Sequence, residues 1–192
     1  MNEIRQNKAT KHWVILATAR GKRPDDFYRA KEERRQFPSH DPGCPFCPGN
    51  ENMLPSILME LPFPSTGSWR TGVISNKYPA LTPEGDTRRF MKGIYVAMQG
   101  YGRHEVIIES PLHNRQIVTM SSQEVEIIIE TYHRSHVDFM QEHRNMMIMI
   151  FRNHGPHAGT SLIHPHSQSI VTGMVPNHIR WKEEEAQRYF DE

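Results

Sequence analysis

The segment from Ser121 to Met140 constrains the fold more than any other part of the chain. Ser121 and Glu124 stand three residues apart, the pattern of a capping box, in which two side chains satisfy free backbone N–H groups at a helix start. The residues that then recur at helical spacing are Val125, Ile128, Ile129, Tyr132, His136, Phe139 and Met140. The pattern predicts one long helix.

Short runs of β-branched, aromatic and other apolar residues lie on both sides of this helix. They predict strands at 12–16, 72–75, 94–98, 104–109, 146–151 and 167–172. The turn sequence Gln99-Gly-Tyr-Gly102 predicts a hairpin that joins 94–98 to 104–109, and the methionine-rich run 146–151 predicts a buried strand. Residues 181–190 predict a charged, solvated helix. The predicted class is α+β, an antiparallel sheet flanked by helices.

The size and charge of the chain limit its classes of function. The chain has 192 residues and a net charge of +1 at pH 7, which suits one domain with a tail. Its lysines and arginines are dispersed among acidic residues, so the sequence indicates no nucleic-acid-binding surface. The polar N-terminus and the lack of an apolar run of roughly 20 residues predict a cytoplasmic protein that does not enter a membrane.

Two cysteines, Cys44 and Cys47, lie in a Pro- and Gly-rich stretch, 36–67, that predicts an irregular surface loop. Their C-x-x-C spacing lets two thiolates bind one tetrahedral ion. A thioredoxin-like redox site would need a preceding strand and a following helix, and the surrounding Pro and Gly favour a turned loop instead. We therefore predict zinc with two histidine ligands. The candidates are His113 and one member of the pair His164 and His166.

The segment from Gly159 to Gln168 has the composition of a reactive site beside a phosphate-binding loop. A proline separates His164 from His166, and we expect the two imidazoles to face opposite sides and to have different roles. A neutral imidazole can attack an α-phosphate at pH 7 and form a phosphoramidate that a second phosphate displaces. Glycines in the preceding loop let the backbone approach a ligand closely.

Six segments occur in a fixed order along the chain. They are Trp13-Val-Ile15, Arg20-Gly-Lys-Arg-Pro24, Cys44-Pro-Phe-Cys47, Asn76-Lys-Tyr-Pro-Ala80, His104 to His113, and Asn153 to Gln168. In this order they resemble the N-terminal half of the galactose-1-phosphate uridylyltransferases, a branch of the histidine triad superfamily. The resemblance covers nearly the whole chain and implies a histidine-triad-like antiparallel half-barrel.

The resemblance also implies roles for individual residues. The implied ligands of a structural zinc are Cys44, Cys47, His113 and His164, and the implied nucleophile is His166. The residues implied to contact nucleotide or phosphate are Arg20, Arg23, Asn76, Lys77, Asn153, Gly159, Thr160, Ser161 and Gln168. Hydrolase branches of the superfamily have a histidine where Gln168 stands. Glutamine can hydrogen-bond a phosphate oxygen but cannot act as a base for water, so transfer is favoured over hydrolysis. Lys77 replaces the family's ribose-binding aspartate, which leaves the ribose contact open.

The implied activity is transfer of a uridylyl group between UDP-glucose and galactose 1-phosphate, through a covalent uridylyl-histidine, in galactose metabolism. One alternative is an adenylyl transferase or phosphorylase that acts on ADP-sugars or dinucleoside polyphosphates. Another is a non-catalytic, zinc-stabilised nucleotide-binding module.

The predicted organisation is a domain at 1–178, with the zinc loop at 36–67, and a charged helix at 179–192. The family has a second half of similar fold, and we expect that half to be absent here. The missing wall of the sugar-phosphate pocket is expected to come from a homodimer partner, from a separate chain, or from neither, and a symmetric homodimer is the default expectation.

Overall fold

The structure is a computed structural model that describes residues 2–17, 37–62, 69–155, 158, 160 and 162–191. Along these residues the elements are β1 (Asn2–Gln6), β2 (Trp13–Ala17), β3 (Ile57–Pro62), β4 (Trp69–Ser75), β5 (Phe90–Lys92), β6 (Tyr95–Ala97), β7 (Gly102–Ile108), α1 (Ser122–Phe139), β8 (Met147–Phe151), β9 (His166–Thr172) and α2 (Asn177–Asp191). The chain divides into two compact units, residues 36–174 and residues 1–35 with 175–192. The domain boundaries at 1–178 and 179–192 stay a prediction.

The larger unit is built around one antiparallel sheet with the strand order β3-β4-β7-β9-β8. In the register of β7 with β9, Ile108 lies opposite His166 and Val106 lies opposite Gln168. Because residues two apart on a strand share a face, all four side chains lie on the same face of the sheet. The predicted α+β class with an antiparallel sheet is therefore confirmed.

Helix α1 packs on the other face of this sheet. Ser121 caps the helix: its Oγ accepts from the backbone N–H of Glu124, and its own N–H donates to Oε2 of Glu124 at 2.7 Å. The predicted capping box is confirmed. Oγ1 of Thr131 lies 2.6 Å from Oγ1 of Thr71 on β4, and Phe139 is fully buried. Burial of such an aromatic side chain contributes about 1.5–3 kcal/mol to folding.

The cysteine loop packs on the face that carries His166 and Gln168. Ile74, Val106 and Ile108 from β4 and β7 form a buried apolar cluster with Phe46 and the two cysteines. A loop without regular secondary structure is thus anchored by its side chains on the sheet. This packing places the C-x-x-C sequence beside the beginning of β9.

The predicted hairpin between 94–98 and 104–109 is wrong. β6 pairs with β5, and β7 pairs with β4 and β9. Thr82 binds the connecting residues, because its N–H donates to the carbonyl of Gly100 and its carbonyl accepts from the N–H of Gly102. These contacts take the backbone groups that a tight turn would have used.

Two further predictions need correction. The stretch 36–67 contains β3, which pairs with β4 at the edge of the sheet, and is therefore not irregular throughout. The methionine-rich run forms β8 as predicted, but the strand lies at the opposite edge, and Met149 is 44% exposed. An edge strand has a neighbour on one side only, so burial is incomplete.

In the smaller unit, β1 and β2 form an antiparallel pair in which Arg5 lies opposite Val14. The ring of His12 stacks on that of Trp181 from α2, with 5.2 Å between centroids. Helix α2 confirms the predicted charged helix and is largely exposed. None of the described helices is long and apolar enough to cross a lipid bilayer.

Candidate metal and nucleotidyl-transfer site

The loop around the two cysteines is held by successive backbone turns. Cys44 N–H donates to the carbonyl of Asp41, Cys47 N–H to that of Cys44, and Asn50 N–H to that of Cys47. The side-chain amide of Asn50 donates to the carbonyl of Cys44 at 2.8 Å. These turns direct both thiols inward, where the two residues are 3% and 1% exposed.

Two histidines reach the same point from different strands. His113 follows β7, and its N–H donates to the carbonyl of Ser39 at 2.8 Å. His164 precedes β9, where the N–H of Glu109 donates to the carbonyl of Pro165. Both histidines are buried. The sheet register and these local hydrogen bonds bring residues more than 100 positions apart to one site.

The four predicted ligands, Cys44, Cys47, His113 and His164, form a group that could hold a metal ion, with all ligand atoms within 4.8 Å of one another. Sγ of Cys47 lies 3.6 Å from Nδ1 of each histidine, and Sγ of Cys44 lies 3.8 Å from Nδ1 of His164. Tetrahedral zinc with bonds of about 2.3 Å to sulfur and about 2.0 Å to nitrogen requires S···N separations of about 3.6 Å. The donor set and its spacing fit that ion.

The surroundings of His164 and Cys44 influence the protonation states of both side chains. Nε2 of His164 donates to the carbonyl of Ser110 at 2.7 Å, so the lone pair of the neutral ring is on Nδ1, which faces the thiols. Burial lowers the pKa of His164 to about 4, which keeps the ring neutral. Burial raises the pKa of the Cys44 thiol to about 11. A bound cation would favour the thiolate.

The two ring nitrogens of His166 differ in their hydrogen bonding. Its Nδ1 donates to the carbonyl of His164 at 2.8 Å, so the lone pair of the neutral imidazole is on Nε2. No described residue hydrogen-bonds Nε2. The ring is half-buried and lies against Phe46, with 5.5 Å between centroids. Among the described residues Nε2 therefore has no hydrogen-bond partner, on a ring whose orientation is held by its Nδ1 bond and by Phe46.

The expectation that His164 and His166 face opposite sides is wrong. The ring of Phe46 packs edgewise against both imidazoles, at 5.9 and 5.5 Å between centroids. Residues two apart in an extended chain share a face. What distinguishes the two histidines is depth, because His164 is fully buried whereas His166 is partly exposed.

Gln168 lies one alternate position after His166 on β9 and belongs to a small polar cluster. Its Oε1 lies 2.9 Å from Nε2 of His104 and 3.5 Å from Nδ2 of Asn76. Nδ1 of His104 accepts from the N–H of Ala80 at 3.1 Å. The predicted residues Asn76 and Gln168 are brought together. His104 is a site residue that sequence reasoning missed, although alternation along β7 from Val106 places it on this face.

Three of the other predicted contact residues, Asn153, Thr160 and Lys77, lie among the described residues. Asn153 is partly buried, and continuing the β8–β9 register two residues beyond the pair of Phe151 with Gln168 sets it level with His166. Oγ1 of Thr160 is buried and has no hydrogen-bond partner among the described residues. Lys77 is exposed on the loop after β4. The predicted residues that lie outside the described residues are Arg20, Arg23, Gly159 and Ser161.

A second polar network, also missed from the sequence, lies on the α1 side of β9. The hydroxyls of Ser167 and Tyr132 both donate to Oε1 of Glu109, the latter at 2.9 Å. Nε of Arg152 lies 3.0 Å from Oε2 of Glu109, in an ion pair without hydrogen-bond alignment. Burial, together with the Glu109 charge, raises the pKa of Tyr132. The network ties the end of β7 to the segments that carry His166 and Asn153.

Comparisons with known proteins place these features in context. The family described as galactose-1-phosphate uridyl transferase, N-terminal domain, matches residues 1–176. An ADP-glucose phosphorylase from Arabidopsis thaliana is 33% identical over 99% of this chain and 54% of its own length. A galactose-1-phosphate uridylyltransferase from Haemophilus influenzae is 26% identical over 96% of this chain and 50% of its own length. The chain therefore spans about half the length of these relatives.

Solved structures agree with the fold. The crystal structure of an ADP-glucose phosphorylase from Arabidopsis thaliana with bound ADP-glucose has a TM-score of 0.76 and 31% identity, over 100% of this chain and 55% of that one. A uridylyltransferase structure has a TM-score of 0.63 at 22% identity, over 100% of this chain and 52% of that one. At that identity the second likeness concerns the fold alone.

Proposed function

Because the chain belongs to the galactose-1-phosphate uridyl transferase family through its N-terminal domain, we propose that it transfers a nucleotidyl group through a covalent bond to His166. The observation that carries the proposal is the state of this imidazole. Nδ1 donates to the His164 carbonyl at 2.8 Å, and Nε2 keeps a lone pair that no described residue occupies. The substrates would be a nucleotide sugar and a sugar 1-phosphate or another phosphate acceptor.

The chemistry would proceed by double displacement. Nε2 attacks the α-phosphorus of the nucleotide sugar, a P–N bond forms, and the bond to the sugar 1-phosphate oxygen breaks. The phosphate leaving group is already a stable anion and needs no proton. The Nδ1–H bond to the His164 carbonyl stabilises the positive charge that develops on the ring. An acceptor phosphate oxygen then attacks the same phosphorus, the P–N bond breaks, and neutral His166 is restored.

Gln168 would serve the transfer in two ways. Its amide can donate to a phosphoryl oxygen, where removal of one such donor typically costs about 10²–10³ in rate. The amide has no basic group with which to deprotonate water, so the intermediate persists until a phosphate acceptor arrives. Further phosphate contacts are proposed for Asn153, which the β8–β9 register sets level with His166, and for Thr160, whose buried Oγ1 has no hydrogen-bond partner among the described residues. Arg20, Arg23, Lys77, Gly159 and Ser161 stay predicted contacts.

Two forms of this activity differ in the nucleotide base. The sequence motifs favour a uridylyl group from UDP-glucose, in the manner of galactose metabolism. The 33% identity to an ADP-glucose phosphorylase, against 26% to a galactose-1-phosphate uridylyltransferase, favours an adenylyl group and an ADP-sugar. By the family resemblance, Lys77 stands where other members have a ribose-binding aspartate, so this position does not favour uridine over adenosine.

The proposed metal is a structural Zn²⁺ bound by Cys44, Cys47, His113 and His164, whose thiol and imidazole donors suit that ion. When bound, it would supply a cross-link between the cysteine loop, the end of β7 and the start of β9. Phe46, between the cysteines, contacts the His166 ring, so the same loop also positions the nucleophile. A homodimer or a separate chain that completes the acceptor pocket, and a cytoplasmic location, stay predictions.

The decisive experiment is covalent labelling. Incubation of the zinc-loaded protein with UDP-glucose or ADP-glucose, each carrying ³²P at the α-position, should yield an acid-labile nucleotidyl-protein. The label should be absent in His166→Ala and present in the matched control His136→Ala, which removes an exposed histidine of α1. The sugar nucleotide that labels faster identifies the base. A folded, zinc-loaded protein that labels with neither would overturn the proposal and leave the non-catalytic nucleotide-binding module.

A further inference from the structure

His104 uses both of its ring nitrogens within the candidate site. It lies on the same face of the sheet as Gln168, diagonally across the β7–β9 ladder, because Val106 is opposite Gln168 and His104 is opposite Ile170. Nδ1 of His104 lies 3.1 Å from the backbone nitrogen of Ala80, and Nε2 lies 2.9 Å from Oε1 of Gln168. One half-buried imidazole thus joins the loop after β4 to β9.

The partners of the ring determine its tautomer. A backbone N–H can only donate, so Nδ1 of His104 must hold a lone pair to accept from Ala80. In the neutral ring the proton is then on Nε2, which donates to Oε1 of Gln168. The ring is consequently an acceptor towards the loop and a donor towards the glutamine.

The orientation of the Gln168 amide follows from that proton. The oxygen of Asn76 accepts from the N–H of Tyr78 at 2.8 Å, so its NH₂ faces His104 and Gln168, 3.1 Å from Nε2 of His104 and 3.5 Å from Oε1 of Gln168. Because Nε2 of His104 carries a proton and cannot accept, Oε1 is the acceptor left for that NH₂. Two donors, from His104 and Asn76, therefore converge on the carbonyl end of Gln168. The side-chain NH₂ of Gln168 makes no hydrogen bond with His104 or Asn76 in this arrangement.

We propose that His104 is a positioning residue that fixes the Gln168 amide with its NH₂ towards the transferred phosphate, while it fixes the Asn76–Ala80 loop through the other nitrogen. The role towards phosphate rests on the proposed function, whereas the tautomer and the amide orientation are properties of the free protein. Without the His104 proton, the glutamine could turn its carbonyl to the phosphate, and oxygen would face oxygen. The expected loss in the rate of transfer is about tenfold, less than for removal of the donor itself.

Two substitutions of His104 test its two hydrogen bonds, to Ala80 and to Gln168, one at a time. The amide of an asparagine reaches the position of Nδ1, and that of a glutamine reaches the position of Nε2. His104→Gln keeps a donor for Gln168, so kcat should stay within about twofold while KM for the sugar nucleotide rises. His104→Asn keeps an acceptor for Ala80 but loses that donor, so kcat should fall about tenfold with little change in KM. The opposite pattern, or equal effects, would overturn the proposal.

A double-mutant cycle tests whether His104 acts through Gln168. In the Gln168→Ala background, His104→Asn should cause no further loss, because the amide that it orients is gone. Losses that multiply would contradict the proposal. His133→Asn, at an exposed position of α1, is the matched control and should leave both proteins unchanged.

Nuclear magnetic resonance gives a test that needs no activity. In the free, zinc-loaded protein with ¹⁵N-labelled histidine, at a pH where the ring is neutral, long-range ¹H–¹⁵N spectra should show His104 protonated at Nε2. The signal is assigned by its loss in His104→Asn, in which the side-chain NH₂ signals of Gln168 should also shift. Protonation at Nδ1, or unshifted Gln168 signals, would refute the positioning role even if His166 labels. The predicted spectra in a protein that never labels would support it and refute only the proposed transfer.

Discussion

At the scale of single residues, the side chains on the two faces of β9 contact different parts of the protein. His166 and Gln168 face the cysteine loop, whereas Ser167 between them points to α1 and donates to the buried carboxylate of Glu109. Glu109 is 2% exposed and is also paired with Arg152. Because a buried charge is stabilised by its hydrogen-bonded partners, we expect the network to fix the position of β9, the strand that carries His166.

The Glu109 network should matter much more for stability than a surface ion pair. Glu109→Gln removes the charge that faces the partly buried Arg152, and we expect the free energy of unfolding to fall by about 3–5 kcal/mol. The control is Glu130→Gln, which breaks an exposed i,i+4 pair with Arg134 and should cost about 0.5 kcal/mol or less. Urea unfolding of the zinc-loaded proteins measures both. Equal effects would show that the network adds no more stability than a surface ion pair.

At the scale of elements, sequence patterns correctly predicted the helix and strands whose formation depends on residues close together in the chain. The capping box at Ser121 and the helical spacing after it predicted α1, which runs from Ser122 to Phe139. The strand at 167–172 was likewise predicted to within one residue of β9. The hairpin prediction failed because strand pairing is non-local: Thr82 binds the residues around Tyr101, and β7 joins strands far away in the chain.

The cap of α1 gives a prediction at this scale. Ser121→Ala removes the hydroxyl that accepts from the N–H of Glu124, and we expect about 1 kcal/mol of destabilisation. The neighbouring Ser122→Ala, at the exposed first helical residue, is the matched control and should change stability little. Thermal unfolding should show a decrease of roughly 2–4 °C in Tm for the first variant only. A similar decrease in both would mean that the cap is not the cause.

At the scale of the whole molecule, the site depends on three distant parts of the chain. The family resemblance predicted Cys44, Cys47, His113 and His164 as one group, and the fold brings these four residues together. The roles of His166 and Gln168 in catalysis stay predictions. The sequence motifs could not identify His104 or Glu109 as site residues, because their roles depend on the register of β7 against β9. A residue type at a strand position says nothing about its cross-strand neighbour until the pairing is known.

The metal site should couple stability to chemistry. A ligand at 1,000 times its Kd stabilises a native state by about 4 kcal/mol, so loss of zinc should lower Tm by roughly 8–16 °C. Cys44→Ser should reproduce that decrease and slow the labelling of His166, because the loop that carries Phe46 is released from its cross-link. His40→Ala, an exposed position of the same loop, should bind about one zinc per chain and label normally. Metal analysis, thermal unfolding and labelling of the three proteins test this coupling.

A folded wild-type protein without zinc, with stability that Cys44→Ser leaves unchanged, would refute the site. Zinc loss that lowers Tm but leaves the labelling rate intact would restrict the metal to folding alone.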